Sequence, residues 1–221
     1  MAKDTKEIYP NNISQDCRVT LKVLDDDFGL HLTSADTGLL SMACLNNQVL
    51  ILFLDMLRYL RNRDEKLCKY VCDRLNKHWS LFLMCPAASS HHHNYASGLI
   101  EHTTQVADIV RDTCKTMNYP MGHSGRLVAA ALLHDLGKVF EYTINHEGKA
   151  VRTETFDRHI EYGYYTAMED GHKDIADMIA THHGKLEWGC LREPADEYEW
   201  ALHFADMISS QCYNRCEEVG N

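Results

Sequence analysis

Leu132-Leu133-His134-Asp135-Leu136-Gly137-Lys138 is the stretch that decides how the rest of the chain reads. It closes an apolar run of Leu127, Val128, Ala129, Ala130 and Ala131. A helix that is apolar nearly all round belongs inside a protein. Burying an unpaired carboxylate there costs on the order of several kcal/mol or more, so His134 and Asp135 need compensation. One answer is a satisfied core histidine beside a salt-bridged aspartate. The other is a metal, for which imidazole and carboxylate are natural ligands.

The whole chain sets bounds on both answers. Its 221 residues predict one domain with room for a small appendage. A net charge of −10 argues against a long duplex footprint, which needs a basic face. Short or small phosphorylated substrates, held by a few local cations and metals, stay open. No apolar run reaches the length of about 18 residues that a membrane span needs, so no membrane partner is expected. The start, Met1 to Glu7, lacks the apolar core of a signal peptide. The cysteines number nine, an odd count, and read as reduced thiols in a cytoplasmic protein. Cys68/Cys72 and Cys212/Cys216 each lie one helical turn apart and read as small buried hydrophobes rather than as a zinc site. Histidine is the anomaly: there are 14, most of them from His91 onward.

Taken in order, residues 17–33 alternate weakly (Val19, Leu21, Val23, then Phe28, Leu30, Leu32) around Asp25 to Asp27, which predicts a short β-hairpin. Residues 49–62 and 65–83 carry apolar residues at helical spacing and predict a helical hairpin. Residues 85–95, with Pro86, Ser89, Ser90 and three consecutive histidines, predict an irregular loop. Helices are then predicted over 99–117, 125–142, 158–169, 172–183 and 196–218, with a turn at Asn145 to Gly148. The chain thus divides into an N-terminal segment, 1–45, with a small β element, and a mostly α domain, 46–221.

Several of these helices bring one candidate ligand each. His102 lies on a largely apolar face, one turn from Val106. His134 lines up with Ala130, Ala131 and Lys138, and the alanines leave room. His159 begins one helix, and His182 and His183 end the next. Asp206 sits among Ala205, Ser209 and Ser210. Each alone reads equally well as a core residue, and His172 and His203 keep that reading. Together, inward side chains on facing helices are how bundles build metal sites. Nitrogen and carboxylate oxygen suit divalent Mn, Fe, Co, Ni or Zn, and Mg more weakly. Asp135 has two oxygens and can bridge two ions. Neighbouring His182 and His183 point about 100° apart on a helix, so one can ligate while the other meets substrate.

The order His102, His134-Asp135, Asp206 resembles the H…HD…D pattern of the HD superfamily of metal-dependent phosphohydrolases. His159 and His182-His183 resemble its two-metal version. Further strings resemble the YhaM-type 3′→5′ exoribonucleases: Pro86-Ala87-Ala88, His92-His93, Ser97-Gly98-Leu99, and His182-His183-Gly184-Lys185-Leu186-Glu187-Trp188-Gly189. The resemblance implies an HD-domain helical bundle with two divalent metal ions. His102, His134, Asp135 and Asp206 would hold one ion; Asp135, His159 and His182 or His183 would hold the other.

The implied reaction is hydrolysis at phosphorus, with a nucleotide or short single-stranded nucleic acid as substrate. Lys138 would neutralise phosphate charge in the transition state. His92, His93 and Lys185 would contact the substrate. Trp188 is assigned to core packing, with stacking on a base as the alternative. YhaM-type enzymes carry an OB region before the HD domain, and about 45 residues are too few for a five-stranded barrel. That favours a second reading as a nucleotidase, triphosphohydrolase or cyclic-nucleotide phosphodiesterase. A third reading is a non-catalytic HD scaffold that senses a nucleotide.

Overall fold

The computed structural model describes residues 9–90, 92–154 and 158–212. The described residues form ten α-helices, three 3-10 turns and one two-stranded sheet, so the fold is mostly α as expected. His91, Cys216 and the predicted helical stretch 213–218 lie outside the described residues.

Residues 17–33 do not form the expected hairpin. They are largely helical, in α1 (Gln15–Phe28). The Ser14 side chain caps α1 by accepting a hydrogen bond from the Cys17 backbone N–H at 3.2 Å. Cys17, Thr20, Leu21 and Leu24 are buried at helical spacing, while Val19 faces solvent. The alternation of Val19, Leu21 and Val23 was therefore the weaker of two overlapping periods. Asp25, Asp26 and Asp27 occupy the last turn of α1. The sheet lies elsewhere: β1 (Tyr142–Ile144) pairs antiparallel with β2 (Ala150–Arg152), with Tyr142 opposite Arg152. The Asn145 to Gly148 turn joins the two strands, with Gly148 N–H donating to the Asn145 carbonyl.

After the short α2 (Thr37–Leu40), the helical hairpin is present as α3 (Asn47–Arg61) and α4 (Glu65–Asn76). The Asp64 carboxylate caps α4 by accepting from Leu67 N–H at 2.9 Å. The expected helix over 65–83 is split, because the chain breaks at Lys77-His78 and restarts as α5 (Trp79–Met84). The break turns Trp79 and Phe82 inward, where both rings pack on Phe53. The bundle follows: α6 (Gly98–Thr116), α7 (Met121–Leu133), α8 (His159–Glu169), α9 (Lys173–Thr181) and α10 (Glu197–Cys212). Helix α7 packs on α6 and α9, and α10 closes over α6.

Helix α7 also departs from its predicted range of 125–142. It ends at Leu133, and Leu136–Phe140 forms a 3-10 turn that leads into β1. His134 and Lys138 therefore do not share a continuous helical face. Gly137 shows why the chain turns here: a Cβ on it would lie 2.6 Å from His159 Cα. Only glycine lets the turn approach the start of α8 so closely. Buried side chains from Ile13 to Ala205 form one continuous core. Leu50, Leu57, Leu75, Leu99 and Leu127 are wholly enclosed in it. Truncating one of these to alanine is expected to cost about 2–5 kcal/mol. No helix among the described residues is long and apolar enough to cross a membrane.

Candidate metal centre

Five elements converge on one buried point. His102 comes from α6, His134 and Asp135 from the end of α7, His159 from the start of α8, His182 and His183 from the end of α9, and Asp206 from α10. His102, His134, Asp135 and His182 are essentially inaccessible to solvent.

Asp135 organises the cluster. Its Oδ2 lies 3.3 Å from Nε2 of His102 and 3.3 Å from Nε2 of His134. Its Oδ1 lies 3.5 Å from Nε2 of His159 and 3.5 Å from Nε2 of His182. One carboxylate thus presents a different oxygen to each of two histidine pairs. Asp206 Oδ1 completes the first side, 3.1 Å from His102 Nε2 and 4.0 Å from His134 Nε2. His183 belongs to the second side, where one ligand atom each from Asp135, His159, His182 and His183 fall within 4.8 Å of one another. All the sequence-selected ligands are therefore brought together.

The ring nitrogens that face away are tied down. His134 Nδ1–H donates to the Ala131 carbonyl at 2.8 Å, and His182 Nδ1–H donates to the Ile179 carbonyl at 2.7 Å. A carbonyl only accepts, so Nδ1 carries the proton and Nε2 offers its lone pair to the cluster. Ser209 Oγ donates to Gln105 Oε1 at 2.8 Å, which uses its single proton. Ser209 must then accept from His102 Nδ1–H at 2.9 Å. Glu141, wholly buried, accepts at one oxygen from both the backbone N–H and Nδ1–H of His159, at 2.8 and 2.9 Å. Inward-facing polar atoms are left without such partners. Asp135 Oδ1 and the Nε2 atoms of His159 and His182 are buried with no well-aligned hydrogen bond, while Asp135 Oδ2 is paired with the Lys138 ammonium. Buried polar atoms in this state are costly unless an ion or other ligand satisfies them. A nitrogen and carboxylate donor set of this kind fits divalent transition metal ions.

The electrostatics agree. Burial alone would raise the Asp135 carboxyl, but Lys138, His134 and His102 outweigh it and hold it well below the usual carboxylate range. Asp206 is likewise pulled far down, against burial, chiefly by His102. Lys138 Nζ lies 2.7 Å from Asp135 Oδ2; burial would lower its pKa, and Asp135 and Asp206 raise it instead. His102 is raised, because Asp135 and Asp206 overcome its desolvation, whereas His134 is lowered by burial.

The remaining sequence-selected residues lie around this centre. The loop before α6 is held by backbone bonds from Ala87 N–H to the His93 carbonyl and from Leu99 N–H to the Cys85 carbonyl. It brings ring nitrogens of His92 and His93 within 4.8 Å of one from His102. Burial and the neighbouring His102 push His92 down to about 4 and His93 down to about 3. Lys185 is exposed, with Nζ 4.6 Å from the centre of the Trp188 ring. Trp188 is not a core residue: its side chain is exposed, on a 3-10 turn (Leu186–Trp188) beside His183. His203 donates Nδ1–H to the His182 carbonyl at 2.8 Å, and His172 packs on Tyr70.

Sequence reasoning missed Glu141, Gln105 and the role of Ser209. Gln105 follows His102 by three positions on a helix, a spacing that places both on one face. Glu141 carried no such signal, since the 3-10 turn after Asp135 sets its direction. Cavities of about 410 and 580 Å³ open elsewhere, around α4. The site is marked by its ligand geometry, not by its volume.

Helices that each deliver a histidine or aspartate to one shared carboxylate define a helical metal-site scaffold. Comparison with known protein families matches residues 99–210 to the HD domain. The chain belongs to the HD domain family, whose members are typically metal-dependent hydrolases. A second family, described as "Putative helicase", matches residues 46–147. No solved structure matches the chain.

Proposed function

We propose that this chain is a metal-dependent phosphohydrolase that cleaves phosphodiester bonds in short single-stranded nucleic acid or oligonucleotides. The observation that carries the proposal is the Asp135 carboxylate, whose two buried oxygens each face a separate pair of histidine Nε2 atoms. Two ions sharing a carboxylate are the arrangement used to clamp both the attacking and the leaving oxygen of an in-line displacement. His102, His134, Asp135 and Asp206 would hold one ion, and Asp135, His159, His182 and His183 the other. Such ions would supply Lewis acidity at the phosphoryl oxygens and would lower the pKa of the attacking water.

The remaining roles belong to the protein. Lys138 sets an ammonium beside Asp135 Oδ2, in reach of charge developing on a phosphoryl oxygen. His92 and His93 are neutral near pH 7, and a 3.1 Å hydrogen bond between their Nδ1 atoms uses one ring's single N–H, so the other ring offers its Nε2–H to a phosphate without adding charge. Lys185 stands exposed, 3.6 Å from Glu187 Oε1, and would draw in a phosphate. In this reading residues 46–221 are the catalytic domain and 1–45 an accessory segment.

One observation favours a mononucleotide substrate instead: a net charge of −10 offers little basic surface for tracking a strand, whereas a nucleotidase, triphosphohydrolase or cyclic-nucleotide phosphodiesterase needs only local cations and metals.

Metal analysis of purified protein, then bis(p-nitrophenyl) phosphate before and after chelation, tests the activity. Full activity in exhaustively chelated protein would exclude the metal-dependent reading. A panel of short oligonucleotides, mononucleotides and cyclic nucleotides then separates the two substrate classes.

A further inference from the structure

Trp188 is 47% exposed, although a tryptophan is normally among the most buried side chains of a chain. Its turn is rigidly seated. His183 Nδ1–H donates to the Trp188 carbonyl at 2.7 Å, and Leu191 N–H donates to the Ala180 carbonyl at 2.9 Å. Gly184 has φ +85°, and a Cβ there would lie 2.3 Å from His203 Cε1, so the turn starts from a backbone position that only glycine fits. His183 is also one of the four residues whose ligand atoms cluster with Asp135. A single imidazole ring therefore separates the Trp188 backbone from the cluster. Lys185 Nζ sits 4.6 Å from the centre of the indole ring, which fixes a cation against the same platform.

We infer that Trp188, with Lys185 beside it, is the site's base-recognition platform, and that the substrate carries an aromatic base adjacent to the scissile phosphate. The inference rests on the phosphohydrolase reading and assigns the group that recognises the base of its substrate. Stacking on an aromatic face tolerates any base, since every base has a π-face, and selects against phosphate esters that lack one. Lys185 then meets a phosphate of the same ligand. The exposed pair Trp200 and Phe204, stacked on each other at 5.5 Å on α10, supplies a control surface with no hydrogen bond to a candidate ligand.

The test compares AMP with ribose 5-phosphate in calorimetric titrations of the metal-loaded full chain. Wild type, Trp188→Ala, Trp188→Phe and Trp200→Ala are measured side by side. His183 bonds to the Trp188 backbone, so that contact survives substitution of the side chain. Wild type is expected to bind AMP more tightly than ribose 5-phosphate, on the order of tenfold to a hundredfold. Trp188→Ala should abolish that difference with ribose 5-phosphate affinity unchanged, Trp188→Phe should restore most of it, and Trp200→Ala should match wild type. Equal AMP binding by wild type and Trp188→Ala overturns the platform, as does an equal loss in Trp200→Ala. A wild type that hydrolyses bis(p-nitrophenyl) phosphate yet shows no preference for AMP overturns the platform alone. A wild type that takes up no metal and hydrolyses nothing overturns the phosphohydrolase reading beneath it.

Discussion

His134 and His182 occupy equivalent places on two different helices. Each stands one residue beyond its helix, α7 or α9, and donates Nδ1–H to the carbonyl three residues back. The last turn of a helix leaves carbonyls without intrahelical partners. One ring nitrogen uses such a carbonyl, and the other is thereby aimed inward. The two rings then approach opposite oxygens of Asp135. The same local device, used twice, builds the two sides of the cluster.

Asp135→Asn keeps the side-chain volume and removes the charge that faces both histidine pairs. Metal content should fall and hydrolysis should be lost. The buried Lys138 ammonium would also lose its closest partner, and breaking a buried pair in this way costs about 3–5 kcal/mol. Urea melts in chelator should show that loss, and the double variant Asp135→Asn/Lys138→Met should recover much of it. Full hydrolysis by the single variant would contradict the assignment.

Lys138→Met tests the ammonium separately. Lysine is not a ligand here, so metal content should stay near wild type. Turnover should fall on the order of a hundredfold or more, as it does elsewhere when one electrostatic stabiliser is removed. Metal analysis and steady-state kinetics on one preparation decide the matter: normal metal with normal turnover removes Lys138 from the reaction.

Ser209→Ala removes the acceptor that holds His102 Nδ1–H. Metal affinity should drop about 10–100-fold, the usual consequence of losing an outer partner of a ligating histidine. Ser209→Thr, which keeps the hydroxyl, should retain most of it. Competition against a chromogenic chelator gives the affinities; identical values for wild type and Ser209→Ala would assign Ser209 to packing only.

The chelated protein should lose stability as pH falls from about 6.5 toward 4, starting at the ordinary histidine value. His92, His93 and His183 have folded pKa values of about 4, 3 and 3, all below that value, and burial lowers His78 and His134 as well. In that interval the unfolded chain binds more protons than the folded one, so stability rises with pH and is lost on acidification. His102, raised in the folded state, acts in the opposite sense: its contribution is present in acid and is lost as pH rises through its folded value. Asp135 and Asp206 are depressed, so their contribution disappears only below about pH 4. Five histidines outnumber one, and thermal melts across the range should show a falling Tm. A flat profile would refute the balance.

Much of this protein was determined by the sequence itself. The apolar run ending in His134-Asp135, with histidines at the ends of later helices, was enough to define a mostly helical chain and its candidate ligands, because helical burial has a period that can be read directly. Two-residue alternation was less reliable, and over Val19 to Val23 it pointed to a strand where Cys17, Leu21 and Leu24 form a helix face. The tertiary structure decided the rest. It ended α7 at Leu133, so that Lys138 reaches Asp135 from a 3-10 turn, and it brought Glu141 to His159 and Ser209 to His102 across long sequence separations. It also left Trp188 exposed and not in the core. Spacing along a chain fixes which side chains share a helix face. Which oxygen of Asp135 each histidine meets depends on how the helices pack, and no local pattern encodes that.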